Sequence, residues 1–513
     1  MKNVEYILTA KEMQQYDRNT IEAFKIPGIV LMEQAALSVL EEIKLLLPKA
    51  ESRILVLAGM GNNGGDALAV ARLLYLEGYD VTVLPVSNKL PEEICVTGEA
   101  AVQYDIIKNM EIPIVNQLPS DSYDMIIDGI FGVGLNRKLE GKIYDIIDQI
   151  NQYGGIKLAI DIPSGLDATT GKIHGICFMA DVTLTFAFLK RGLFLQEGKQ
   201  VSGKVVKKRI GITPLSFLGK APAMTALNGS ISEYLPQRKP NGHKGTFGKI
   251  LVVAGSKENG GAAYLAAKAA FYAGCGMVRI CIHKEQYQAV FSKLPEAIYD
   301  CYSDVQAAIK AVNAGMEWAD VIILGPGMGQ NDISHSLWKE VIRGPKLPLI
   351  IDADGLNILS WEENSLLLHR LQAEEESRRT LVLTPHPLEL SRLTKKNVKE
   401  LKENRESILE EYSLYMKAII VKKDAATVIY HNDGRMSMNL SGNHGMATAG
   451  SGDVLCGILA AFLSVFADPY EAVVTAVYCH GKSGDYMMEK KGFHSLMAGD
   501  LIIGICHLLK EDK

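Results

Sequence analysis

Paired cysteines, a secretory leader, a basic face and an apolar run of membrane-spanning length are all missing from this 513-residue sequence. Its eight cysteines, Cys95, Cys177, Cys275, Cys281, Cys301, Cys456, Cys479 and Cys506, are scattered, and no two form a Cys-x-x-Cys pair. Without a disulfide framework or a leader, the expected home is a reducing cytoplasm. The stretch from Met1 to Arg18 is interrupted by polar residues and too short in apolar run to be a signal or an anchor. A formal net charge of -5 and a pI near 6.2 argue against nucleic acid as a partner. No membrane partner is expected either, which leaves small metabolites.

What is present is ordinary globular composition, 48% hydrophobic and 22% charged. The length exceeds what one core usually organises, so two domains are expected. Strand-like apolar runs alternate with helical patterns in the first half: Arg53 to Gly59, Val81 to Val86, Met125 to Asp128, Lys157 to Asp161 and Val182 to Phe186. The alternation restarts at Lys249 to Ala254 and continues through Val278 to Ile282, Val321 to Leu324, Leu347 to Asp352, Thr380 to Thr384, Ala418 to Val421 and Thr427 to Tyr430. Runs this uniformly apolar suit parallel strands covered by helices on both faces. Between the halves, Pro214 to Pro240 holds four prolines, Gly219 and Gly229 with little periodicity, and reads as the boundary.

The segment from Asn443 to Asp453, NHGMATAGSGD, followed at once by apolar Val454 to Phe466, is the most informative stretch. Gly450, Ser451 and Gly452 let consecutive backbone N–H groups converge where a helix begins and its unpaired donors face outward, which suits a phosphoryl group. Asp453 beside that point is placed to take a proton from a substrate hydroxyl while the amides support charge on phosphorus.

In the first half, polar clusters follow strand ends, where ligands sit in open α/β sheets. Gly59-Met60-Gly61-Asn62-Asn63-Gly64-Gly65-Asp66 opens a helical pattern, and the backbone there suits a phosphate or pyrophosphate. Asp128 is followed by the Gly-rich turn to Arg137, and Asp161 by Ile162-Pro163-Ser164-Gly165-Leu166-Asp167. Asn63, Asp128 and Ser164 offer oxygen atoms of the kind a hard cation accepts. Gly481-Lys482-Ser483 imitates the end of a Walker loop, but Ala476 stands where its first glycine belongs, and the segment continues a helix begun at Asp468-Pro469.

Together these motifs resemble the bifunctional NAD(P)H-hydrate repair enzymes, an NAD(P)HX epimerase fused to an ADP- or ATP-dependent NAD(P)HX dehydratase. The resemblance also rests on Asn241-Gly242-His243-Lys244-Gly245, Ala254-Gly255-Ser256, Gly325-Pro326-Gly327-Met328-Gly329, Asp352-Ala353-Asp354-Gly355-Leu356-Asn357 and Thr384-Pro385-His386-Pro387. It implies α/β folds throughout: a Rossmann-like three-layer epimerase domain over residues 1–218 and a ribokinase-like dehydratase domain over residues 225–513.

For the second half the resemblance implies Asp453 as base, with Gly450, Ser451 and Gly452 as anion hole. Ala263, Gly327 and His386 would contact the hydrated dinucleotide. The adenine nucleotide would lie at Lys423, Asp424, Ala425, Ala426 and Thr427 and bring Mg²⁺. Asp424 stands where the family carries glycine, and its charge would repel a diphosphate unless it points outward or meets a cation. Asp352 and Asp354 are open to a Mg²⁺-linked, pocket-shaping or turn role.

For the first half it implies epimerisation of the (R) hydrate to the (S) form. Asp161 would be the acid/base group, and K⁺ would be held by Asn63, Asp128 and Ser164. Substrate would meet Asn62, Asn63, Gly64, Gly65 and Asp66, and also Gly132, Val133, Gly134, Leu135, Asn136, Arg137 and Lys138. Lys190 is a weaker acid/base candidate, its expected role being a solvated surface charge. Partners are NAD(P)HX and ADP or ATP, in a homo-oligomer. Two other readings stay open: a ribokinase-type metabolite kinase with an appended nucleotide-binding domain, and a first half that binds ligand without turnover.

Overall fold

The computed structural model describes residues 4–49, 51–88, 97–375 and 378–510; Cys95 lies outside them. The chain forms two compact units, Glu5–Pro222 and Ala223–Lys513.

The first unit is organised by a parallel sheet whose strands run in the order Asp80–Pro85, Arg53–Ala58, Met125–Gly129, Ile156–Ile160, Val182–Phe186 and Lys204–Lys208. Strand alternation divides the apolar residues between two cores. Ile54, Val56 and Ala58 pack with the helices Gly28–Leu46 and Asn62–Leu76, whereas Leu55 and Leu57 pack with the helix Lys142–Asn151. The sheet is thus covered on both sides, as its uniformly apolar strands require. The chain proceeds to one side of Arg53–Ala58 and then returns to its other side, so the crevice beyond Ala58 and Gly129 lies at the switch in strand order.

The second unit orders its strands Ile298–Tyr302, Met277–His283, Lys249–Val253, Val321–Leu324, Leu349–Ile351, Leu381–Leu383 and Ile419–Lys422, all parallel. The expectation of a wholly parallel sheet fails beyond that point. Val428–Tyr430 pairs antiparallel with Ile419–Lys422, and Met436–Met438 antiparallel with Val428–Tyr430. The physical reason is reach: the short link from Lys423 to Thr427 closes a hairpin but cannot house a crossover helix.

The helix Ser451–Leu463 is almost entirely buried and lies against the Ala-rich helix Gly261–Tyr272. A Cβ on Gly457 would come 2.2 Å from the Ala266 carbonyl oxygen, so the two backbones approach as only glycine permits. That contact fixes where the helix N-terminus points. Asp468 caps the helix Pro469–Lys491 by accepting from Tyr470 N at 2.9 Å, and Gly481, Lys482 and Ser483 lie within that helix rather than in a phosphate loop. Among the described residues no helix is long and apolar enough to cross a membrane.

Candidate active sites

In the first unit, the turn after Arg53–Ala58 has no room for side chains. A Cβ on Gly64 would lie 1.8 Å from the Gly59 carbonyl oxygen, and one on Gly65 would lie 2.5 Å from Met32 Cε. Gly64 and Gly65 are buried beneath the turn, so they shape it rather than line it. Beyond it opens a cavity of about 950 Å³ lined by Asn62, Asn63, Asp66 and Asp161. Gly132, Val133, Gly134, Leu135, Arg137 and Lys138 line it from the loop after Met125–Gly129, whereas Asn136 is exposed and does not.

Asp161 ends its strand with φ of +64°, a left-handed conformation that costs an aspartate roughly 1–3 kcal/mol and is kept where surrounding contacts enforce it. Those contacts centre on Lys190. The expectation that Lys190 is a solvated surface charge is wrong, because its side chain is wholly buried. Its ammonium has three acceptors: Asp161 Oδ1 at 2.5 Å, Phe186 O at 2.8 Å and Thr185 Oγ1 at 3.0 Å. An apolar run ending in lysine just past a strand is the misleading signal; burial is open to this residue because every N–H finds an oxygen.

Among the described residues, four other carboxyl groups line this cavity with Asp161, and two of them, Asp66 and Asp17, are raised in pKa. Burial, reinforced by the charges of Asp161 and Asp17, holds Asp66 well above the usual carboxylate range. Burial, then the charges of Asp161 and Glu99, raises Asp17 against the pull of Lys190. Asp17 sits in the first helix, Ala10–Phe24, where a helical pattern alone could not point it at this cleft.

Asp128 lies deeper. It accepts from Ser164 Oγ at 2.6 Å, Ser164 N at 2.7 Å and Ile130 N at 3.1 Å. Burial outweighs those bonds and pushes its pKa up to about 6. Asn63 donates through Nδ2 to Ile160 O at 3.2 Å. Asp128 is a fully buried carboxylate with no cationic side chain against it among the described residues, so a hard monovalent cation would balance its charge, although the groups that meet it are two backbone N–H donors and the Ser164 hydroxyl.

In the second unit, Gly450 has φ of +91° and precedes Ser451–Leu463 with no side chain capping the helix; Ser451 N donates to Thr448 O at 3.3 Å, while the Gly452 and Asp453 N–H groups have no partner among the described residues. His480 pins the cradle from behind, with Nε2 3.1 Å from Ser451 O; burial, aided by the Lys423 charge, lowers its pKa to about 4, leaving a neutral donor. A Cβ on Gly452 would stand 3.4 Å from both Asp352 Oδ2 and Lys423 Nζ. The amide cradle, Lys423 and Asp352 therefore converge.

Lys423 Nζ donates to Asp352 Oδ1 at 2.6 Å. Asp352 also accepts from Thr384 Oγ1 at 2.7 Å and from Cys456 Sγ at 3.4 Å, so both its oxygens are engaged. Burial pushes Asp352 up, but Lys423, Thr384 and Cys456 outweigh it and hold the carboxylate ionised. Asp453 is pushed the other way, to about 7, by burial first and the Asp352 charge second, against Lys423. Two carboxyl groups with separated pKa values sit side by side, the arrangement an acid/base site needs. Asp354 instead holds the glycine loop, accepting from Gly329 N at 2.9 Å.

His386 caps the helix Pro387–Thr394: its Nδ1 accepts from Leu388 N at 3.1 Å and Glu389 N at 3.3 Å, so the ring proton is on Nε2, which lies 3.2 Å from Glu389 Oε1. Burial raises Glu389 to about 7; sequence reasoning does not single out this residue, although it completes a capping box. A Cβ on Gly327, whose φ is +60°, would stand 2.9 Å from Asn259 Nδ2 and 3.0 Å from Ala262 Cβ. Ala263 is fully buried, so it supports the helix start and does not itself face a ligand.

Lys423, Asp424, Ala425, Ala426 and Thr427 form the hairpin loop between Ile419–Lys422 and Val428–Tyr430. Ala426 is buried, while Asp424 and Ala425 are exposed. The repulsion expected from Asp424 is met by an ion pair with Lys422. Asp424→Gly should accordingly change the apparent affinity for ADP by less than about five-fold, measured by titration. Gly452→Val should abolish the phosphoryl chemistry expected of this cradle, because branches beyond a Cβ already 3.4 Å from Lys423 Nζ fill the space that the helix start faces; wild-type nucleotide binding by that variant would refute the cradle.

These features define a class: a two-unit α/β enzyme with a separate ligand cleft at the strand ends of each unit. Residues 250–506 match the family described as NAD(P)H-hydrate dehydratase, and residues 28–192 the family described as YjeF-related protein N-terminus. The chain is 34% identical to the bifunctional NAD(P)H-hydrate repair enzyme of Moorella thermoacetica, covering 99% of this chain and 97% of that protein. It is 30% identical to the Escherichia coli enzyme of the same name, covering 96% and 92%. An ADP/ATP-dependent NAD(P)H-hydrate dehydratase from Bacillus subtilis, crystallised with ATP and Mg²⁺, is 28% identical, with a TM-score of 0.47, over 55% of this chain and 96% of that one. The chain belongs to the family of bifunctional NAD(P)H-hydrate repair enzymes.

Proposed function

We propose that the unit Glu5–Pro222 epimerises the (R) hydrate of NADH or NADPH and that the unit Ala223–Lys513 dehydrates the (S) hydrate at the expense of ADP or ATP. The observation that carries the reading is the convergence of Asp453, Lys423 and the Gly450–Gly452 amides.

Asp453 takes the proton of the hydrate's hydroxyl, and the oxygen attacks the terminal phosphorus of the nucleotide as the bridging P–O bond breaks, releasing AMP from ADP or ADP from ATP. Lys423 and the open amides support the charge on the phosphoryl oxygens, and Asp352 keeps Lys423 in place. The ring nitrogen lone pair then expels phosphate, and loss of a proton from the neighbouring carbon restores the reduced ring. Mg²⁺ bound to the nucleotide would neutralise phosphate charge; Asp352, with both oxygens occupied, is not one of its ligands. His386 presents its ring to the substrate and Gly327 allows close approach.

In the first unit Asp161, oriented by Lys190, is the acid/base group at the hydrated carbon. The neighbouring loops contact the dinucleotide. K⁺ held by Asn63, Asp128 and Ser164 would supply the positive charge that buried Asp128 lacks. A cytoplasmic location is consistent with the seven described cysteines, all of them free.

The test is an epimer-resolved assay with NADH hydrate and ADP. The reading expects both epimers to be consumed, the (S) form directly and the (R) form only through the first unit. Accumulation of a stable phosphorylated product would favour a metabolite kinase.

A further inference from the structure

The second unit has another cleft, a cavity of about 370 Å³ at the C-terminal ends of four adjacent parallel strands. Ser256 follows Lys249–Val253, His283 ends Met277–His283, Tyr302 ends Ile298–Tyr302, and Met328 follows Val321–Leu324. Strand order reverses about Lys249–Val253, so the cavity occupies the switch point, where open α/β sheets bind ligands.

Two side chains give it chemistry. His283 is 7% exposed and Tyr302 is 5% exposed, their rings in edge contact with centroids 5.6 Å apart. His283 Nδ1 accepts from Glu285 N at 3.4 Å, which leaves the ring proton on Nε2. Among the described residues neither that Nε2–H nor the Tyr302 hydroxyl has a protein partner, although both side chains line the cavity. Both groups are thus free to donate to a molecule in the cavity. Lys257 and Lys284 stand at the rim with Glu258 and Glu285, and Glu285 already pairs with Lys257 at 3.7 Å.

We propose that this cavity binds the 2′-phosphate of the hydrated NADPH, with His283 Nε2–H and the Tyr302 hydroxyl as fixed donors and Lys257 and Lys284 as rim charges. The assignment rests on the dehydratase reading, which places the dinucleotide at Gly327, the residue before Met328 on the cavity wall. A volume of this size accommodates the phosphate-bearing part of a nucleotide and not a whole dinucleotide. The cavity is thus a specificity element that distinguishes the NADPH hydrate from the NADH hydrate.

The test uses the full chain with ADP saturating, and compares wild type with His283→Asn and Tyr302→Phe. Asparagine preserves the helix cap, but its amide stops short of the position of the histidine Nε2, so a fold defect is separated from a lost contact. Loss of one hydrogen bond to a charged phosphate should weaken binding of adenosine 2′-monophosphate roughly ten-fold and lower the NADPH-hydrate to NADH-hydrate ratio of kcat/KM by a similar factor. An unchanged ratio, or equal loss on both hydrates, overturns the proposal. Wild-type binding of inorganic phosphate as tight as that of the nucleotide would also overturn it, showing a free-anion site. Absence of dehydration in wild type would instead defeat the underlying dehydratase reading, while 2′-monophosphate binding still tests the cavity.

Discussion

Asp453→Asn should lower the rate of dehydration by about 10²- to 10⁴-fold, the range for removal of a positioned general base, and leave epimerisation of the hydrates at the wild-type rate. Asparagine keeps the size of the side chain at the helix start but cannot accept the hydroxyl proton. The pH dependence carries the sign. Burial and the neighbouring Asp352 charge raise Asp453 to about 7, so the base is ionised above that pH and protonated below it. Dehydration by wild type should therefore fall as pH drops through 7. Glu389, also near 7, adds a second ionisation in the same range, and the two are separated by Glu389→Gln, which retains the Asp453 limb. Loss of both activities in Asp453→Asn would show that the two clefts are not independent.

The second large effect belongs to the other unit. Asp161→Ala should block use of the (R) hydrate by about 10²- to 10⁴-fold and spare the (S) hydrate. The change removes the carboxylate that three donors hold: Lys190 Nζ at 2.5 Å, and Thr185 Oγ1 and Phe186 N each at 3.3 Å. Lys190 would then be a buried ammonium without its charge partner, so unfolding must be checked alongside activity. Lys190→Met paired with Asp161→Ala removes both charges and restores the fold without restoring epimerisation. Equal use of the two epimers by a folded Asp161→Ala protein would refute the assignment.

Much of this is legible in the residues. Uniformly apolar runs such as Arg53–Ala58 and Val321–Leu324 announce strands buried on both faces, and they are. Strands with weaker signals escape such a reading: Lys204–Lys208 is half-buried with three lysines, and Ile298–Tyr302 is an edge strand exposed along much of its length. The cradle from Gly450 to Asp453 is visible because glycine, helix start and acid are contiguous in the chain. Lys423 and Asp352, by contrast, meet across 71 residues of sequence, and no spacing rule brings them together. Lys190 misleads for a related reason, since the three acceptors that permit its burial arise only when the strand ends assemble.

The most direct test of the central claim follows phosphate and reduced dinucleotide together, using NADH hydrate of mixed epimers with ADP as phosphoryl donor. The account predicts one inorganic phosphate released for each NADH formed, with both epimers exhausted, and both products formed about 10²- to 10⁴-fold more slowly by Asp453→Asn. Consumption of ADP with no return of reduced-nicotinamide absorbance, or NADH formation by Asp453→Asn at the wild-type rate, would contradict it.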